Sequence, residues 1–152
     1  MKRVLSLIIC LGLIMSFPTA THAAEKGNTI YYKETDLGNG LTVIDEIIEC
    51  PQSRTTYGKT VNRSGTFKDG DTVIAVIVFQ ATFHYDGTSV SVASKSVIQS
   101  DTYAGWSFKQ NSFTSSGGTV SLTGKLTKWL ILNSTTFTMS LTCDKNGNIT
   151  YH

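Results

Sequence analysis

The sequence predicts an all-β chain: an antiparallel β-sandwich, Ig-like in the broad sense, of about seven or eight strands. Three observations carry that expectation. Thr72 to Asp86 alternates with a period of two along its whole length, which is the side-chain period of a strand. Turn dipeptides recur at short intervals, at Asp69-Gly70, Asp86-Gly87, Gly117-Gly118 and Asn146-Gly147, and such pairs are strong hairpin signals. No stretch beyond the N-terminal apolar run carries a helical stripe, so the sheets have to bury one another's faces.

Taken in order, the chain begins Met1-Lys2-Arg3, continues as an apolar run from Val4 to Phe17, and passes Pro18 into small residues ending at Ala23-Ala24. Positive start, short apolar core and small-residue cut site are the parts of a secretory signal. Thr21 and Ala23 occupy the two small positions before a cut, so residues 1–23 read as the signal peptide. The run falls short of the roughly 20 residues a membrane span needs. Cys10 follows Ile9 rather than a small residue and sits inside the apolar core, which argues against lipidation there. The expectation is a chain that is secreted, extracellular or held at the cell surface by a partner, with no integral span once the signal is removed.

Lys2 and Arg3 leave with the signal, which takes the formal charge from +2 to zero. A neutral domain has no bulk attraction for nucleic acid or an anionic membrane. Residues 24–40 show no periodicity and read as a loosely ordered arm. The β-domain is expected over 41–152. Leu41 to Cys50 is apolar but irregular and fits a strand or a short helix. Thr60 to Phe67 reads as an edge strand. In Thr72 to Asp86 the odd positions from Val73 to Tyr85 face inward, and Ile74, Val76 and Val78 suggest cover on the second face as well. Ser89 to Ser100 alternates and then shifts phase near Val97 or Ile98, which marks a bulge. Ala104 to Phe113, Thr119 to Leu132, Thr135 to Asp144 and Ile149-Thr150-Tyr151 complete the series.

Gly65-Thr66-Phe67, Phe83-His84-Tyr85-Asp86-Gly87, Trp106 and Leu141-Thr142-Cys143-Asp144-Lys145-Asn146-Gly147-Asn148 occur in that order. Together they resemble a group of short secreted proteins common in Gram-positive gut bacteria, over Thr56 to the C-terminus. The group brings no assigned activity, so the resemblance implies a compartment and an all-β domain and nothing catalytic.

Motifs for chemistry are sparse. His84 lies on the outward face of its strand, with no Gly-x-Ser-x-Gly elbow and no oxyanion loop to serve it. Asp45 with Glu46, and Asp69 with Asp71, alternate faces or flank a turn, and read as solvating edges. The sequence has no Cys-x-x-Cys and no His-Glu-x-x-His, so no zinc signature. Asp144, Asn146 and Asn148 have the opening spacing of a calcium loop, but Gly147 is misplaced and no distal Glu follows. No catalytic residue, metal ligand or cofactor is therefore assigned. Tyr31, Tyr32, Tyr57, Tyr103, Trp106 and Trp129 are the aromatics able to stack on a ligand. Trp106 is expected in the core with Phe108, whereas Trp129 breaks phase with Leu126 and is the candidate exposed binding aromatic. Export permits a disulfide between Cys50 and Cys143; otherwise Cys143, in phase with Phe137, Met139 and Leu141, is core packing.

The function expected is a non-catalytic binding or surface-interaction module whose partner is an extracellular protein or glycan. The alternative is a small secreted hydrolase with a site assembled from distant residues. A remoter one is a pore-forming protein, suggested by the Ser-Val alternation of Ser89 to Ser100.

Overall fold

The structure is a computed structural model and describes residues 27–51, 57–129 and 133–152. The signal-peptide expectation for residues 1–23 lies outside them. Nine strands follow one another: β1 (Asn28–Gly38), β2 (Leu41–Glu49), β3 (Gly58–Asp69), β4 (Thr72–Tyr85), β5 (Val90–Thr102), β6 (Trp106–Ser116), β7 (Thr119–Lys128), β8 (Ser134–Cys143) and β9 (Ile149–Tyr151). They form two antiparallel sheets, ordered β1-β2-β3-β4-β5 and β6-β7-β8-β9. The sheets pack face to face as a sandwich. Every neighbour in a sheet is also the neighbour in sequence, so the connections form a meander and not the Greek key of immunoglobulin domains.

Aromatic contacts fix how the sheets lie over one another. Phe67 of β3 meets Phe137 of β8 with ring centroids 4.5 Å apart, and Phe79 of β4 meets Phe113 of β6 edge-on at 5.6 Å. At one lateral margin Tyr31 of β1 lies on Tyr151 of β9 at 3.6 Å. Phe67, Phe79, Phe83, Ile47, Ile77, Leu122 and Leu126 are fully buried between the sheets. Burying such a side chain is worth about 1.5–3 kcal/mol. Gly124 lets the rings close in: a Cβ there would overlap Phe108 Cε2 and meet Phe137 Cζ at 2.7 Å.

The alternation of Thr72 to Asp86 appears as β4, with Ala75, Ile77, Phe79, Ala81 and Phe83 buried on the odd face. Ile74 is buried too, because the β3–β4 register slips between Phe67 and Lys68 and leaves Ile74 unmatched. The phase shift in β5 is a pair of register slips that pass over Ala93 and Ile98. The segment from Leu41 is a strand.

Two expectations need correction. Residues 28–38 are an eleven-residue edge strand, not a loose arm; an edge strand gains pairing on one side only, so its burial is too weak to print a clear alternation. Thr60 to Phe67 belongs to β3, which lies between β2 and β4 and is therefore central. Its inward positions are Val61, Arg63, Gly65 and Phe67, and the Arg and Gly among them gave it the look of an edge.

Candidate functional site

Sheet one has five strands and sheet two has four, the last only three residues long. The sandwich is therefore uncovered along one lateral margin, where β1 and β2 reach past β8 and β9. A cleft of about 430 Å³ lies there. One wall is the inner face of β1, with Tyr31, Lys33, Thr35 and Leu37; the other is β8, with Thr136 to Met139, and Tyr151 and His152 close one end.

Its inner wall holds the one buried charged residue among the described residues, Arg63, which is 4% exposed. The guanidinium grips Asp45 as a fork, with Nε to Oδ1 and Nη2 to Oδ2 both at 2.8 Å. Nη1 donates to the Ser140 carbonyl and, at 2.9 Å, to the backbone oxygen of His152. A bidentate pair of this kind is strong and orientation-specific. Here it ties β2 and β3 of one sheet to β8 and the chain's last residue in the other. The expectation that Asp45 merely solvates an edge is thus corrected: its carboxylate faces inward and both its oxygens are engaged. Arg63 escaped the sequence reading, although its parity with Val61 and Phe67 was the available signal. Lys33 is the cross-strand partner of Asp45 and makes no ion pair among the described residues.

A second recess, of about 570 Å³, lies on the outside of sheet one, beside the β4–β5 hairpin. It brings His84, Tyr57, Asp86, Ser89 and Ser91 together, and His84 and Ser91 are cross-strand partners. The resemblance to a Ser-His-Asp set ends with Asp86. Its carboxylate accepts from the Thr88 and Ser89 amides, at 2.9 and 2.7 Å, and from both hydroxyls. Those bonds hold its carboxyl well below the usual carboxylate range. The carboxylate shapes the turn and has no bond to His84.

Asp144 plays the same part at the next turn. It accepts from the Asn146 and Asn148 amides and from the Asn148 side-chain amide at 2.7 Å, which lowers its carboxyl's pKa, the Asn148 bonds first. Asn148 points a donor at the carboxylate, an arrangement unlike a cation's ligand set. Among the described residues no three His, Cys, Asp or Glu lie close enough together to hold a metal ion.

The remaining candidates separate. Trp106 is buried with Phe108 beside it in the half-buried shell; its Nε1–H has no partner, and Lys128 Nζ stands 5.7 Å from the ring centroid. Trp129 is 86% exposed and stands apart from the cleft. Tyr32, Tyr57 and Tyr103 are exposed, and of the aromatics singled out in the sequence Tyr31 is the one that enters the cleft. Cys50 and Cys143 are both free thiols. Cys143 is buried, its thiol donating to the Asp144 carbonyl at 3.4 Å, and burial pushes its pKa up to about 11. Among the described residues no helix is long and apolar enough to cross a membrane. Comparison with family models, curated proteins and solved structures returns no match, so the reading of this site rests on its own residues.

Proposed function

We propose that the chain is an extracellular, non-catalytic binding module and that the lateral cleft is its recognition site. One observation carries the proposal: along this margin the inward side chains of β1, Tyr31, Lys33, Thr35 and Leu37, are left partly or wholly uncovered, above a floor of Val43, Phe67, Phe137 and Met139. A pocket that combines apolar and aromatic walls with a few fixed polar groups is the usual form of a ligand site. Tyr31, Tyr151 and Phe137 supply the first, while Thr35, Lys33 and the Arg63–Asp45 pair supply the second. The Arg63 and Asp45 charges satisfy each other, so the pair fixes the shape of the cleft's wall without offering a nucleophile or a general acid. The signal-like N-terminus supports the extracellular setting.

The test is a heteronuclear NMR titration of the intact domain with a panel of soluble oligosaccharides and a pool of extended peptides. Shift changes are expected at Tyr31, Lys33, Thr35, Thr136, Thr138 and Tyr151, and Tyr31→Ala should weaken binding about tenfold, the loss of roughly one aromatic contact. Changes centred on Trp129 or on the His84 recess, with the cleft silent, would refute it.

A further inference from the structure

We propose that the cleft takes an extended peptide from a partner, which adds as a strand to the uncovered edge of β8 where β9 stops. This rests on the cleft being the recognition site and names its ligand class.

β8 runs from Ser134 to Cys143, but β9 pairs only with Leu141 to Cys143. One further step of pairing exists: Ser140 donates to the His152 oxygen at 3.3 Å and accepts from the His152 amide at 3.4 Å. In an antiparallel ladder the residues that bond to a given neighbour recur every second position. Thr138, Thr136 and Ser134 therefore aim their N–H and C=O groups the same way as Ser140, away from β7. Among the described residues no strand lies on that side. Thr138 also keeps its hydroxyl on the outer face, 3.0 Å from the Thr123 hydroxyl, so it does not fold back over the edge.

Edges are normally blunted with charge, proline or irregular register. β1, the other strand bordering the cleft, has all but the proline: Lys33, Glu34 and Asp36, with register slips near both ends. Ser134 to Met139 contains no charge and no proline and pairs with β7 without a slip. This unprotected edge lies inside the recess. An edge of alternating donors and acceptors is complementary to a peptide backbone, the recognition mode of strand addition.

β9 shows how such a strand sits, with Tyr151 laid on Tyr31. A peptide continuing in the same lane turns alternate side chains onto Lys33, Thr35 and Leu37, which stand at two-residue spacing along β1. Lys33 selects a carboxylate, because Asp45 beside it has both oxygens committed to Arg63. The ligand is an extended segment of β-branched residues with one acidic side chain facing inward.

The probe is a blocked hexapeptide, acetyl-Thr-Asp-Thr-Val-Thr-Val-amide, with a twin N-methylated at its threonines, whose amides would face β8. The peptide should shift the Thr136 and Thr138 amides, and the twin should bind at least tenfold more weakly. Thr136→Pro removes one outward N–H while sparing the β7 ladder, and should cost about the same; proline is tolerated on strand edges. If that variant fails to fold by its melting curve, the methylated twin alone decides. Equal affinity of the two peptides overturns strand addition. An oligosaccharide that shifts the cleft while neither peptide does overturns it too and leaves the cleft's role intact, whereas a cleft silent to every ligand refutes both. Concentration-dependent dimerisation that shifts the same two amides without peptide would give the edge to a second copy and overturn the proposal.

Discussion

Replacing Arg63 by leucine should cost about 3–5 kcal/mol, the range for removing one partner of a buried ion pair. The structure places this variant in that range because three partners lose their donor together. The Asp45 carboxylate, itself only 16% exposed, loses its forked guanidinium partner, with only the exposed Lys33 nearby, and the Ser140 carbonyl and the His152 oxygen each lose a charged donor. Hydrogen bonds to charged groups are worth roughly 1.5–3 kcal/mol each, but they do not add here, since water entering the cleft recovers part of the loss. Against the 5–15 kcal/mol typical of a whole domain, the effect is large. Equilibrium urea unfolding measures it: the midpoint should fall while the slope, set by the surface exposed, stays constant. The double variant Arg63→Leu/Asp45→Leu should regain most of the loss, because it leaves no orphaned charge. A single variant within about 1 kcal/mol of the parent would refute the reasoning, as would a double variant that is simply additive.

Four further outcomes follow from the packing, the cysteines and the turns. Gly124→Ala should destabilise by about 1–3 kcal/mol, the cost of overpacking a tight core, read as a lower melting temperature and disturbed ring resonances of Phe108 and Phe137; a neutral result would mean that the rings part freely. Cys143 has a folded pKa of about 11 against an ordinary 9.0, so its contribution is complete below pH 9 and is lost between pH 9 and about 11, where only the unfolded thiol ionises; Cys143→Ala should flatten that alkaline fall in stability. In the folded protein iodoacetamide should reach Cys50 before Cys143, and unfolding without reductant should expose two thiols, whereas a mass lower by about two daltons would reveal a disulfide. Asp86 and Asp144 have lowered folded pKa values, so their contribution is present above the ordinary carboxylate pKa near 3.8 and lost as pH falls below it. The Asp86→Asn/Asp144→Asn variant should show a shallower acid limb in the same unfolding series.

Most of the fold was legible because a strand buried on one face writes its period into the sequence. β4, β7 and β8 alternate cleanly, and their turns carry Gly where the chain reverses. β1 was not legible: its pairing is one-sided, and only Tyr31, Thr35 and Leu37 reach even partial burial. β3 was misplaced because its inner face spends two positions on Arg63 and Gly65, the one satisfied by Asp45 and the other accommodating Met139 Sδ, which a Cβ would meet at 3.1 Å. Neither reason can be seen until the opposite sheet is in place. The cleft was hidden on the same ground. It arises from a mismatch of five strands against four, a property of the assembled sheets that no local motif encodes.

The meander also governs how the chain assembles. Within each sheet every strand pairs with the one before it, and only the step from β5 to β6 passes to the other sheet, so both sheets form from the near-in-sequence contacts of successive hairpins. Proteins rich in such contacts fold faster than β-proteins of distant pairing. Docking of the sheets adds pairs distant in sequence, such as Phe67 with Phe137, and more distant ones at one margin, where Tyr31 meets Tyr151 and Arg63 meets His152. Closing those last two contacts joins segments 120 and 89 residues apart, and the entropic cost of a loop rises only by about 0.6 kcal/mol for each doubling of its length. Each sheet can therefore build from its own hairpins, while docking joins residues far apart in the chain, the first and last strands among them. The margin joined by these distant contacts is the one that holds the cleft, so the longest closures of the chain and the proposed recognition site lie on the same side of the molecule.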